Sequence, residues 1–253
     1  MAVHIAGTTA LVTGANRGIG RALVEALIER GAAKVYAAAR RPDALDDLVA
    51  RFGDRVVPLR LDVTRPSEVR AVAARATDVR ILINNAGIIA KLGGEFTDTA
   101  WIEAARDEFE VNVLGSWSVT QAFAPILGQK PGGTVANISS VAGLAALGSA
   151  ASYSVSKAAL RSLTQATRAL LAPHGVHVIG VYPGPIDTDL ARPFEMVKTA
   201  PEAAAKAILD GLEDGREEIF PDPMAREVGE LFLRDPKALE RQFAAATATP
   251  TNA

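Results

Sequence analysis

The chain contains no cysteine. Disulfides, thiolate metal sites, iron–sulfur clusters and cysteine nucleophiles are therefore excluded from its chemistry. The absence of disulfides fits a reducing, cytoplasmic setting. Neither charge is in excess: 27 Lys+Arg stand against 29 Asp+Glu, a formal net charge of −2. No basic nucleic-acid footprint dominates, and no polyanionic tail or membrane-surface patch stands out. No stretch reaches the ~18 consecutive apolar residues of a membrane span. The apolar start MAVHIAGTTALVTG lacks a cationic lead and reads as a first buried strand, not a signal peptide. The three histidines, His4, His174 and His177, are scattered, so no metal is expected. There is no G-x-S-x-G elbow, which sets aside a hydrolase built from Ser140, His174 and Asp187.

What is there is ordinary globular material, 49% hydrophobic and 22% charged over 253 residues. Short β-branched runs at 8–14, 33–40, 55–63, 79–87, 132–140 and 175–184 alternate with helical patterns at 18–31, 42–53, 65–76 and 152–172. Pro58 weakens the third strand. Between 99 and 127 the pattern predicts one long helix, interrupted at Gly115 and closed near Pro125. Pro201 opens another helix, EEIFPD makes a short last strand, and a helical tail is expected at about 225–243, frayed beyond. The alternation predicts an α/β fold: a single Rossmann domain over 1–253, doubly wound, with about seven parallel strands and helices on both faces. A substrate loop is expected at about 189–200.

The first strand runs into Thr13-Gly14-Ala15-Asn16-Arg17-Gly18-Ile19-Gly20, and a helix follows at once. Missing side chains let a pyrophosphate approach the backbone, and the free N–H groups of the helix start face it. The placement, strand before and helix after, strengthens an otherwise weak motif. An NAD-binding fold usually carries an acid at the end of the second strand to hold the ribose hydroxyls. Here that strand ends Ala39-Arg40-Arg41, with no acid until Asp43. Arg40, with Arg17 from the turn, could pair with a 2′-phosphate. The competing reading is two solvated arginines. The missing acid favours NADP(H).

Tyr153 and Lys157 stand four residues apart, on one face of a predicted helix. An unperturbed phenol titrates near pH ~10 and is a poor base at neutral pH. A nearby ammonium, together with the positive nicotinamide of an oxidised cofactor, would lower that value, letting Tyr153 exchange a proton with an alkoxide during hydride transfer. Ser140 lies thirteen residues earlier, at the end of the strand TVANISS, where a hydroxyl can donate to a carbonyl oxygen as charge develops. Its neighbour Ser139 is easily mistaken for it.

With these residues in view, the chain resembles the short-chain dehydrogenase/reductase family, in its branch of ~250 residues. The resemblance rests on TGANRGIG (13–20), LDV (61–63), NNAG (84–87), EVNV (110–113), ISS (138–140), YSVSK (153–157) and PGPIDT (183–188), in the family's order. It implies a hydride-transferring oxidoreductase with Tyr153 as acid/base. Lys157 would bind the nicotinamide ribose and lower the tyrosine's pKa, Ser140 would polarise the carbonyl, and Asn112 would relay protons from Lys157. It further implies cofactor contacts at Gly14, Asn16, Arg17, Gly18, Ile19, Gly20 and Arg40. Asp62 and Val63 would meet adenine, Asn85, Ala86 and Gly87 the ribose, and Pro183, Gly184, Ile186 and Thr188 the nicotinamide. Similar proteins pair through the long helix and the Tyr/Lys helix, so a homodimer or homotetramer is expected. Trp101, Trp117 and Phe123 read as packing on that helix.

The segments 88–92, 141–150 and 189–200 should form the pocket, and they are mostly apolar. That suits a hydrophobic ketone, aldehyde or secondary alcohol. The leading reading is an NADPH-dependent carbonyl reductase or alcohol dehydrogenase. The alternatives are a 3-oxoacyl thioester reductase and a non-catalytic dinucleotide sensor. The extended tail departs from that of acyl-carrier-protein reductases.

Overall fold

The computed structural model describes residues 3–129 and 131–248. Seven parallel strands form one sheet: β1 (Thr9–Thr13), β2 (Lys34–Ala39), β3 (Val56–Arg60), β4 (Ile81–Asn84), β5 (Thr134–Ile138), β6 (His177–Val181) and β7 (Glu218–Ile219). Their spatial order is β3-β2-β1-β4-β5-β6-β7. The order reverses between β1 and β4, and the crevice beyond the strand ends there is where such sheets bind ligands.

The helices are α1 (Gly18–Glu29), α2 (Asp46–Phe52), α3 (Pro66–Arg75), α4 (Ala100–Phe109), α5 (Ser116–Gly128), α6 (Ala151–Leu171), α7 (Pro201–Glu213), α8 (Pro223–Arg234) and α9 (Pro236–Ala248). Strand side chains alternate between two cores. Ala10, Val12, Ile81 and Ile83 pack with α1 and α7, whereas Leu11, Leu82 and Val135 pack with α3 and α5. Helices on both faces explain why β1, β4 and β5 are buried at every position. The expected doubly wound seven-stranded sheet is the one observed.

Four details differ from the expectations. Pro58 sits inside β3 without breaking it, because β3 is an edge strand paired only with β2. Pro125 lies within α5 instead of closing it. Both Pro125 and Gln121, whose carbonyl loses its partner, are exposed to water. The interruption of the long helix is a π-helical stretch, Glu110–Gly115, joining α4 to α5. Gly115 closes it because a Cβ there would stand 2.6 Å from Val63 Cγ2. The tail forms two helices and stays helical to Ala248, past the expected frayed point; residues 249–253 lie outside the described residues.

Candidate active site

The end of β1 and the start of α1 build the first wall. Gly14 and Gly18 take positive φ, +65° and +53°. A Cβ on Gly18 would meet Thr188 Cγ2 at 2.8 Å, and one on Gly14 would meet Ala86 Cα at 2.9 Å. The turn therefore requires glycine for backbone angle and for close approach. Thr13 Oγ1 accepts from the N–H groups of Asn85 and Ala86, both at 3.0 Å, and so ties the loop after β4 to this turn. Gly20 lies beneath the turn, packed on Gly14 and Asn85, and is not on the cavity wall.

The second wall comes from β5, α6 and the loop after β6. Ser140 ends the β5 segment with its Oγ accepting from Ala142 N at 3.1 Å. Ser139 Oγ turns away and donates to Lys157 O at 3.0 Å, which separates the two serines. Lys157 Nζ donates to Ile138 O at 2.9 Å and stands 5.6 Å from the Tyr153 ring centroid. Pro183 O accepts from Val141 N, and Gly184 N donates to the buried Asp222 carboxylate at 2.7 Å.

Between these walls lies a cavity of about 1290 Å³. Gly14, Asn16, Arg17, Gly18, Ile19, Arg40, Asp62, Val63 and Asn85–Gly87 line it. Ser140, Tyr153, Lys157, Pro183, Gly184, Ile186 and Thr188 line it as well. Asn112 is fully buried behind the wall; its amide bonds Ile88 N, Ile88 O and Ser156 Oγ. Gly87 brings Asn112 and Lys157 together: a Cβ there would be 3.2 Å from Asn112 Oδ1 and 3.5 Å from Lys157 Nζ.

Burial dominates the electrostatics of the site. Burial pushes the Tyr153 phenol up to about 12, opposed by a hydrogen bond with Ser140 and reinforced by the negative charge of Glu108. Burial pushes Lys157 down to about 8. Its ammonium is desolvated and donates to the Ile138 carbonyl. Burial also opposes ionisation of Asp62, but two hydrogen bonds from Thr64, with the charges of Arg40 and Arg65, together hold the carboxyl below its ordinary range. Arg17 reaches the cavity with its guanidinium 2.8 Å from Asp189, while Arg40 is exposed at the rim.

A family model for short chain dehydrogenases matches residues 8–198. The chain belongs to the short-chain dehydrogenase family. A short chain dehydrogenase from Burkholderia cenocepacia, solved in complex with NADP, is 42% identical. The match covers 98% of this chain and all of that one, with a TM-score of 0.88. The 3-oxoacyl-[acyl-carrier-protein] reductase FabG of Vibrio cholerae is 32% identical over 93% of both chains. A 3-alpha-(or 20-beta)-hydroxysteroid dehydrogenase of Mycobacterium bovis is 31% identical over 82% of this chain and 81% of its own.

Short-chain dehydrogenase motifs pointed to most of this wall, and two helices and two buried carboxylates escaped them. Met224 of α8 and Gln242, Phe243 and Ala246 of α9 also line the cavity. Asp222 and Glu108 are buried carboxylates beside it. The signal for the tail was its apolar spacing, but nothing in the spacing said which way α9 folds back. Trp117 is half exposed, not packed, whereas Phe123 is fully buried.

Proposed function

We propose that this oxidoreductase is an NADPH-dependent carbonyl reductase, run in reverse as an alcohol dehydrogenase, for hydrophobic ketones, aldehydes or secondary alcohols. One observation carries the reading: Ser140, Tyr153 and Lys157 open onto the same cavity as the glycine turn and Arg40. The glycine turn fits a pyrophosphate, since Gly14 and Gly18 line the cavity at the start of α1 and carry no side chain to stand between the backbone and a phosphate. Gly14, Asn16, Arg17, Gly18 and Ile19 would hold the phosphates, with Gly20 letting the helix sit close beneath. Arg40, on a strand end without an acid, would hold the 2′-phosphate. Asp62 and Val63 would flank adenine, Asn85–Gly87 and Lys157 the ribose, and Pro183, Gly184, Ile186 and Thr188 the nicotinamide. The Burkholderia relative's NADP complex supports the cofactor. NADPH, when bound, supplies the hydride that reduces the carbonyl carbon.

The chain's own residues supply the rest. Tyr153, protonated at neutral pH, breaks its O–H bond and gives that proton to the carbonyl oxygen. Ser140 donates a hydrogen bond to the same oxygen as charge develops. Lys157, fixed by Ile138 O, holds its position beside the phenol, and Asn112 stands behind it on the route by which the proton is replaced. Leu147, Phe194, Met196 and Phe243 give the substrate end an apolar lining and exclude water. The loop 189–200 reads as the substrate loop, its ends closed by Asp187 N donating to Thr199 O and Thr199 N to Pro185 O. Exposed Ile102, Phe109, Leu114, Trp117 and Val155 on the α4–α5 and α6 surfaces support a homo-oligomer.

A second reading, 3-oxoacyl thioester reduction, is favoured by the similarity to the Vibrio reductase. Against it stands the wall of α8 and α9 across the cavity. The test is NADPH and NADH consumption, side by side, over ketones, aldehydes and a carrier-bound 3-oxoacyl thioester. The proposal expects NADPH well ahead, with free carbonyls turned over. NADH ahead would make Arg17 and Arg40 plain surface charges. Binding without turnover would favour a dinucleotide sensor.

A further inference from the structure

Asp222 stands where β7 gives way to α8, and its bonds exceed what a helix cap needs. The sequence Asp222-Pro223-Met224-Ala225 is a helix start, with an acceptor at the N-cap and proline at the first helical position. Oδ1 accepts from Ala225 N at 2.9 Å and satisfies the first turn. One acceptor completes such a cap, and a serine or threonine hydroxyl would serve. The side chain is nonetheless a carboxylate, and it is 1% exposed. Burying a carboxylate is costly, so its second oxygen calls for a use. Oδ2 accepts from Gly184 N at 2.7 Å, 38 residues earlier in the chain. Gly184 is pressed against this side chain: a Cβ there would lie 2.6 Å from Asp222 Oδ1 and 3.4 Å from Met224 Cβ. Gly184 does not take positive φ, so the close approach alone requires glycine.

We propose that Asp222 is a positioning residue: one oxygen fixes the first turn of α8, and the other holds the nicotinamide loop at Gly184 against that turn. The assignment rests on the reading that places the nicotinamide at Pro183, Gly184, Ile186 and Thr188. The other ties of this loop run elsewhere. Tyr182 N donates to Ile219 O at 2.9 Å, and Val141 N donates to Pro183 O at 3.0 Å. Past Gly184, Pro185 O accepts from Thr199 N at 3.0 Å, in the loop 189–200. Asp222 supplies the hydrogen bond that joins the loop to α8. Gly184 and Met224 both line the cavity, so one carboxylate sets the spacing between the cofactor's loop and the first turn of α8.

Two variants separate the cap from the tie. Asp222→Ser keeps a hydroxyl for Ala225 N and has no second oxygen for Gly184. Asp222→Ala loses both bonds. The readouts are the melting temperature and the Kd values for NADPH and for adenosine 2′,5′-bisphosphate, which carries the adenosine end of the cofactor and no nicotinamide. Asp222→Ser should melt close to the wild type. It should bind NADPH roughly tenfold more weakly and the bisphosphate within about twofold of the wild type. Its kcat for ketone reduction should fall with little change in the KM for the ketone. Asp222→Ala should show the same binding pattern with a lower melting temperature. Equal weakening of both nucleotides in Asp222→Ser, or weakening of neither, overturns the proposal, because a carboxylate that only supports the fold does not tell them apart. Should Asp222→Ser not fold, Asp222→Thr takes its place; if neither folds, a hydroxyl cap is not enough and the proposal falls. The wild type tests the underlying reading by itself: NADPH bound no more tightly than the bisphosphate would mean that the nicotinamide gains nothing from this loop, and both would be overturned before any variant is made.

Discussion

Lys157 is held where an ammonium is least comfortable, and the penalty is measurable. Its pKa falls from 10.5 to about 8 on burial, so between those values the unfolded chain binds more protons than the folded one. Stability from this group therefore rises with pH across that window and is lowest below pH 8. Lys157→Met should unfold at a higher temperature than the wild type at pH 7. Its advantage, about 3 kcal/mol at most, should shrink as pH climbs from 8 to 10.5, and thermal melts over that range check it. Loss of the bond to Ile138 O reduces the gain. Arg40 offers a second test at this scale. Replacing it with Asp should weaken NADPH binding roughly 10- to 100-fold while leaving NADH binding near its original value, read by fluorescence titration. Ser140, Tyr153 and Lys157 were legible because each motif fixes a residue type at a fixed offset. The direction of the Tyr153 shift was not legible, because it depends on burial and on Glu108, forty-five positions away in the chain.

At the scale of elements, the parts that carry motifs were predictable and the helices that close the cavity were not. The strands of the first half match their apolar runs closely, since a sheet covered on both faces demands continuous hydrophobic stretches. The need for glycine at 115, where the π stretch 110–115 ends, comes from close approach to distant Val63, and local periodicity is blind to that. The same holds for α9, whose return across the cavity is set by packing of Leu239 and Phe243 on Val141, Ala225 and Val228. If α9 is a wall of the substrate site, its residues should tune selectivity. Phe243→Leu should raise kcat/KM for bulky ketones relative to small ones by roughly tenfold, measured on a graded substrate series. An unchanged ratio would place the substrate elsewhere.

For the whole molecule, the strand order delivers the chemistry. The reversal between β1 and β4 opens the crevice into which the glycine turn, the Asn85–Gly87 loop and the ends of β5 and β6 all project. Family membership was readable from seven motifs in order, whereas the choice between dimer and tetramer was not. The half-exposed Trp117 and the exposed Ile102 would be unusual on an isolated monomer surface. Ile102→Glu combined with Trp117→Glu should convert a dimer or tetramer to monomer in size-exclusion chromatography with light scattering. A wild type that already elutes as a monomer would contradict the assembly.

The central claim, that Tyr153 transfers the proton in an NADPH-dependent reduction, meets its most direct test in Tyr153→Phe. NADPH affinity and ketone turnover should be measured on the same preparation. The account predicts affinity within about twofold of the wild type and turnover reduced by at least roughly 100-fold. Turnover within tenfold of the wild type, with affinity intact, would contradict it.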